Sequence, residues 1–172
     1  KPMNSDILIT IVVIVLAALL IVVLPVMTMA DRFDTTSQAE VEAIVSNFVE
    51  EARTKKVVTQ EGYAQFKENL GSLGYTFDVN VELKSIDENP GKKTLQTTKD
   101  KIGENGYVSA YTTQFEEQLE KSGKIKLNTG DMILVSVVNA NPTFAQQLKS
   151  FAYKITGNDS ATIIASKAGM VQ

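Results

Sequence analysis

Cysteine, histidine and tryptophan are all absent from this chain of 172 residues. Without cysteine there is no disulfide, no thiolate metal site and no cysteine nucleophile. Without histidine the commonest general base and metal ligand is missing. Stability must come from packing alone. An excess of basic charge is missing too: 17 basic and 20 acidic side chains leave a formal net charge of -3. The basic residues are scattered, whereas a nucleic-acid surface gathers them into a patch or stripe. Lys92, Lys93, Lys99 and Lys101 lie close together, but Asp100 and Glu104 interrupt them, so the segment reads as a solvated loop. No nucleic-acid partner is expected.

Motifs that carry chemistry are equally scarce. There is no glycine-rich phosphate loop, and Asp31, Asp34, Asn128 and Asp131 do not have calcium-loop spacing. Glu116 with Glu117, and Asp87 with Glu88, read as solvent-facing neighbours rather than catalytic pairs. Ser166-Lys167 follows an expected strand but forms no S-x-x-K arrangement. Asn158-Asp159-Ser160 fits the glycosylation sequon, a short motif that is frequent by chance. No catalytic residue, cofactor or metal site is assigned, and the chain is not expected to be an enzyme.

What the chain does have is an uncharged apolar run over residues 7–30. Its length matches the roughly 20 residues that a helix needs to cross a bilayer core. The chain opens Lys1-Pro2-Met3, which predicts processing ahead of the apolar run and retention of that run on the mature protein. Lys1 and the α-amino group bias the short leading side to the cytoplasm and send the remainder outward. Thr10 and Thr28 are the only polar side chains in the run, and both hydroxyls can bond back to their own helix. Pro25 interrupts the run as a tolerated kink or as a point that stretches when the helix leaves lipid. Asp6 lies just before the run. It either sits solvated at headgroup level or, once helices bundle, pairs with a neighbour's amine or Lys1.

The helical pattern continues past the run. Val41, Ile44, Val45, Phe48, Val49 and Ala52 form one stripe at i, i+3, i+4, i+7, i+8 and i+11. A single helix over residues 4–55 would be on the order of 75 Å long. Thr59 is positioned to cap a second helix carrying Tyr63, Phe66, Leu70 and Leu73, closed by Gly71 or Gly74. Residues 75–84 alternate apolar and polar five times and predict a strand with one wet face. Asn89-Pro90-Gly91 is a turn, and residues 92–106 read as a loop with an extended piece near 94–98. Residues 107–121 predict a helix with Val108, Tyr111, Phe115 and Leu119 on one face, stopped by Gly123. Residues 131–139 predict a largely buried strand. Asn141-Pro142 starts a helix lined by Phe144, Leu148, Phe151, Ala152 and Ile155; a turn at 157–159 and a strand at 161–166 follow.

These elements make an α+β chain in which a long N-terminal helix, with a transmembrane half and then an amphipathic half, packs on a small, mostly antiparallel sheet with short helices. Two regions are expected. Residues 1–30 form the hydrophobic helix, and residues 31–172 form a head that includes the amphipathic half at about 31–55.

An uncharged helix near the mature start, an amphipathic continuation and a small α+β head together resemble type IV pilins. The closest likeness is to Tad-type pilin-like proteins of Gram-positive (Firmicutes) bacteria. Gly62-Tyr63 through Ile86-Asp87-Glu88-Asn89-Pro90-Gly91-Lys92-Lys93, and Tyr153-Lys154-Ile155-Thr156-Gly157-Asn158-Asp159, carry the sequence echoes. The resemblance implies a subunit stored in the cytoplasmic membrane, trimmed by a prepilin peptidase, and polymerised by pilus assembly machinery into an extracellular filament of its own copies on the cell surface. Ile7, Ile11, Ile14, Leu19, Val22 and Leu24 would then pack the filament core. Lys1, Asp6 and Pro25 would take part in assembly. Pilins commonly carry a Glu at the fifth mature position that neutralises a neighbour's N-terminus. Here that position is Ser5, and the nearest acid is Asp6. Either Asp6 takes the role or the subunit assembles without it. The rival is a single-span anchor for a minor subunit or binding domain of a secretion or conjugation apparatus.

Overall fold

A computed structural model describes residues 3–87, 106–141, 147 and 163–172. The expected helix at 142–155 apart from Gln147, the turns at 89–91 and 157–159, the loop at 92–106 apart from Gly106, and Lys1 fall outside them. The first part of the long helix α1 (Met3–Lys55), up to Ser37, belongs to one compact unit, and Gln38–Asn141 with Thr162–Gln172 makes a second. α1 contains no glycine, and its helical dihedrals run through Pro25 without a break. It stops at Lys56, which adopts the left-handed φ of 53° and lets the chain turn away.

In the second unit the chain continues through β1 (Val57–Thr59), α2 (Gln60–Gly71), β2 (Phe77–Ile86), β3 (Tyr107–Tyr111), α3 (Thr112–Ser122), β4 (Lys124–Lys126), β5 (Met132–Asn139) and β6 (Ile164–Met170). β1 pairs with β4, and the main sheet runs β3-β2-β5-β6 with every neighbouring pair antiparallel. α+β architecture with a long helix on a small antiparallel sheet is thus the observed fold.

Alternation decides which side of the sheet is buried. Val81 and Leu83 of β2, Ile133, Val135 and Val137 of β5, and Ala165 of β6 face inward, and all are buried. Val41, Val45, Phe48, Val49 and Ala52 of α1 belong to the same core, and Ile44 packs against it. α2 adds Tyr63, Phe66 and Leu70, and α3 adds Phe115 and Leu119. The rings of Phe48 and Phe66 stack 4.4 Å apart, and Phe115 meets Tyr63 edge-on at 5.3 Å, both favoured ring arrangements. Thr59 caps α2 by accepting from the Gly62 N–H at 3.1 Å, as its position predicts.

The structure corrects the sequence reading between residues 107 and 121. Residues 107–111 are strand β3, not the start of a helix, and α3 begins only at Thr112. Val108 and Tyr111 are therefore exposed, and only Phe115 and Leu119 are buried. The handover is local. Tyr111 is extended (φ -93°, ψ 171°), and the Gln114 side chain accepts from its N–H at 3.2 Å. Thr112 Oγ1 meanwhile accepts from the Val81 N–H at 2.9 Å. β2 lies two residues later than the alternation suggested, and β6 extends to Met170. β1 and β4 have no counterpart in the sequence reading.

α1 packs closely over β6 at Gly169. A Cβ there would lie 2.7 Å from Val49 Cγ1 and 3.4 Å from Arg53 Cδ. Gly169→Val should therefore force helix and strand apart and cost about 1–3 kcal/mol, the usual penalty for overpacking. Urea unfolding of the detergent-solubilised chain followed by circular dichroism measures it; unchanged stability would mean that α1 does not close on β6.

Candidate functional site

The most distinctive surface of the molecule is the first part of α1. The bulky apolar side chains between Ile7 and Leu24 are all substantially exposed, from 48 % for Val12 to 72 % for Ile21, excepting only the half-buried Val23. The most apolar 18-residue window of the helix has no buried residue. Eighteen residues at 1.5 Å each span about 27 Å, close to a bilayer's hydrocarbon thickness. α1 is thus a helix long and apolar enough to cross a membrane or to serve as a signal sequence. Ile7, Ile11, Ile14, Leu19, Val22 and Leu24 all lie on this uncovered stretch.

Its few polar groups are tied back. The Thr10 hydroxyl donates to the Asp6 carbonyl at 2.7 Å, and the Thr28 hydroxyl donates to the Leu24 carbonyl at 3.0 Å. Each bond hides a donor that lipid could not satisfy. Asp6 lies in the first turn of α1 and is exposed, where a carboxylate suits the positive end of the helix dipole. Pro25 is also exposed. It stands 19 positions after Asp6, about 28 Å along a helix, so the two do not form one site. Lys1 lies outside the described residues, as do Lys92, Lys93, Lys99 and Lys101.

The second unit holds one polar cluster with perturbed ionisation. The Tyr63 hydroxyl donates to Glu116 Oε1 at 2.8 Å, Lys67 Nζ donates to the same oxygen at 3.1 Å, and the ammonium sits 4.6 Å from the centre of the Tyr63 ring. α2 supplies Tyr63 and Lys67, and α3 supplies Glu116. The bond from Tyr63 is the main reason that the Glu116 carboxyl titrates below its ordinary range, and Lys67 helps. Burial of the phenol, reinforced by the Glu116 carboxylate, pushes Tyr63 well above the ordinary tyrosine range. Glu116 remains partly exposed, but unlike a free surface acid it is held by two donors; Glu117 is exposed and pairs with Lys121 at 3.5 Å.

This cluster borders an open hollow of about 170 Å³ lined by Gln60, Ala64, Leu119 and Glu120 as well. Its carboxylate is already engaged by two donors and its phenol is held protonated. The arrangement fits a tie between two helices. The sequence reading also missed Asp131. That side chain is buried and accepts from the Asn128 N–H at 2.7 Å and the Ile86 N–H at 3.2 Å. It fixes the turn before β5. Among the described residues no group of three or more acidic side chains is placed to hold a metal.

The ionisation shifts set the pH range over which the tie works. Glu116 is held below its ordinary pKa, so its contribution is full above about pH 4.5 and is lost as acid protonates it. Tyr63 is held above its ordinary pKa, so its contribution is full below about pH 10 and falls as the unfolded phenol ionises. Tyr63→Phe should cost about 1 kcal/mol at pH 7 and make the alkaline loss of stability shallower. Glu116→Gln should make the acid loss shallower. Melting temperatures from pH 3 to 11 test both, and parallel profiles for wild type and variants would refute the assignment.

Comparison with family models, curated proteins and solved structures finds no match to this chain.

Proposed function

We propose that this chain is a structural subunit that polymerises through residues 7–24 of α1 into an extracellular, type IV pilus-like filament, with the membrane as its store before assembly. One observation carries the reading: among the described residues an uncharged helical surface stands uncovered, on the same helix whose later stripe is buried in the head. Such a surface is stable only in lipid or among similar helices. Covering each Val, Leu or Ile is worth about 1.5–3 kcal/mol relative to water. More than a dozen such residues lie between Ile7 and Leu24, enough to favour a bundle of copies after ordering costs.

A membrane anchor would use the same apolar length. What favours the filament is the unbroken helix from Met3 to Lys55. An anchor needs only a tether between span and head, and glycine or a polar linker would serve. Here neither interrupts the helix. The similarity in layout to Tad-type pilins points the same way. In a bundle Asp6 would be drawn out of water and would need a basic group from a neighbouring copy, of which Lys1 is the nearest in sequence. A prepilin peptidase and an assembly platform would be its partners in the cell. The absence of histidine and cysteine makes an enzymatic role the weaker alternative.

Mechanical shearing of cells that express the chain should release thin filaments with this chain as their principal protein. Recovery of the chain only from the detergent-soluble membrane fraction, as monomers, would leave the anchor as the correct reading. Asp6→Ala should lower filament yield while membrane insertion stays intact, as read by carbonate extraction. Normal yield would remove Asp6 from assembly.

A further inference from the structure

Among the described residues the main sheet has two open edges, and their geometry is complementary. Along β6 the bonded pairs with its neighbour include Val171 with Asp131 at 2.8 Å and Ile163 with Asn139 at 3.1 Å. Bonded and non-bonded pairs alternate in an antiparallel ladder. Odd-numbered residues of β6 therefore turn their backbone groups to β5, and Ile164, Ser166, Ala168 and Met170 turn theirs outward. The Gln38 side chain occupies the first of these: its amide donates to the Ile164 carbonyl at 2.8 Å and accepts from the Ile164 N–H at 3.1 Å. Ser166 and Ala168 are exposed, and among the described residues nothing pairs with their outward backbone groups.

The opposite edge has the same plan. Asp87 bonds to Gly106 at 2.7 Å, so the outward positions of β3 are Tyr107, Ser109 and Tyr111. Gln114 accepts from the Tyr111 N–H, leaving Tyr107 and Ser109. Among the described residues each edge thus has one position engaged by a glutamine, followed by two open positions on β3 and three on β6, Ser166, Ala168 and Met170.

We propose that copies of this chain join head to tail by pairing β3 of one copy with β6 of the next, Ser109 opposite Ser166 and Tyr107 opposite Ala168. The inference specifies a contact within the self-assembly proposed above. The main sheet has four strands, all antiparallel, so a second copy facing the same way presents β3 antiparallel to β6. Buried faces then stay on one side. Tyr111 falls opposite Ile164, which places the two glutamine-engaged positions at the same end. On the outer face the exposed rings of Tyr107 and Tyr111 meet Ile164, Ala168 and Met170; aromatic–aliphatic cross-strand pairs of this kind stabilise sheets.

On the inner face the exposed Val108 of β3 needs cover. Beside β6 lies a groove of about 580 Å³ between that strand and α1, walled by Ala39, Glu42, Ala43, Val45 and Ser46 of α1 and bordered by Lys167 of β6. The small side chains among these leave space for Val108. The occupant is a second copy because the open strand and the groove that receives it are both on this chain. Two different edges in contact make a repeating series of copies, which stays open unless the rotation between copies closes it into a ring.

The chain lacks cysteine, so introduced thiols report this contact without background. Bonded antiparallel pairs have Cα atoms about 5.5 Å apart, within disulfide range. β3 and β6 of one copy are three strand spacings apart, about 14 Å, which prevents an internal disulfide. The full-length double variant Ser109→Cys/Ser166→Cys, oxidised mildly in its native membranes, should give a ladder of covalent dimers, trimers and larger species. Each single variant should give almost none. No ladder, or dimers from a single variant in equal yield, would overturn the proposal. Filaments without a ladder would refute the edge contact alone, and a ladder without filaments would refute the filament alone. Hydrogen exchange on the unmodified chain provides a second measurement. The amides of Tyr107, Ser109, Ser166 and Ala168 should slow roughly tenfold or more on assembly, and unchanged rates would exclude the pairing.

Discussion

The burial of one helical stripe against one face of a sheet is the contact on which the second unit depends. Val41, Val45, Val49 and Ala52 present a nearly continuous aliphatic strip, and all are buried. The sheet answers with Val81, Ile133, Val135 and Val137, and with Gly169, where a Cβ would crowd Val49. The surrounding features follow from this contact. The aromatic side chains of Phe48, Tyr63, Phe66 and Phe115 join α1, α2 and α3 around it, and the Tyr63–Glu116–Lys67 tie holds two of those helices together at the surface. With no cysteine in the chain, packing and such ties do the work that a disulfide would otherwise share.

The same helix obeys two different solvation rules. From Val41 onward its apolar residues occupy a stripe and its acids face water. Between Ile7 and Leu24 the apolar residues go all the way round, and no charge occurs. A helix of the first kind needs one neighbour, whereas a helix of the second kind needs neighbours on every side. The bonds from Thr10 and Thr28 to the preceding turn fit the second environment, because they remove the only side-chain donors that would otherwise face lipid or a dry bundle.

Much of this architecture is legible in the sequence where a period runs long enough. The stripe from Val41 to Ala52 covers three helical turns, and Phe77 to Leu83 alternates cleanly, so α1 and β2 could be read directly. β1 and β4 are three residues each, with a single buried side chain apiece in Val58 and Ile125, too few to show any period. Residues 107–121 misled for a specific reason. Val108, Tyr111, Phe115 and Leu119 happen to be spaced as on one helical face, but the first two belong to a strand paired with β2. Propensity for strand in Tyr-Val-Ser-Ala-Tyr and the Thr112 bond to Val81 outweigh that accidental period. The Glu116 tie was hidden because its partner Tyr63 is 53 residues away, and Gln38 is 126 residues from Ile164; contacts at such separations arise only from the fold.

The glutamines at the sheet edges bear on how such a chain balances solubility against assembly. An exposed edge is a template for indiscriminate pairing, and proteins usually blunt it with charge, proline or a bulge. Here Gln38 closes one end of β6 and Gln114 engages the corresponding end of β3, each through its side-chain amide. A side-chain amide can mimic a strand's backbone at one position, but it leaves the following positions open. That arrangement shortens each edge without sealing it and limits the registers in which another strand can add. Short edges pair weakly on their own, and they gain strength when another contact holds the copies side by side. An uncovered apolar helix would supply that second contact. In the proposed assembly the two features would act together: the helix would provide the affinity, and the trimmed edges would provide the order in which heads follow one another.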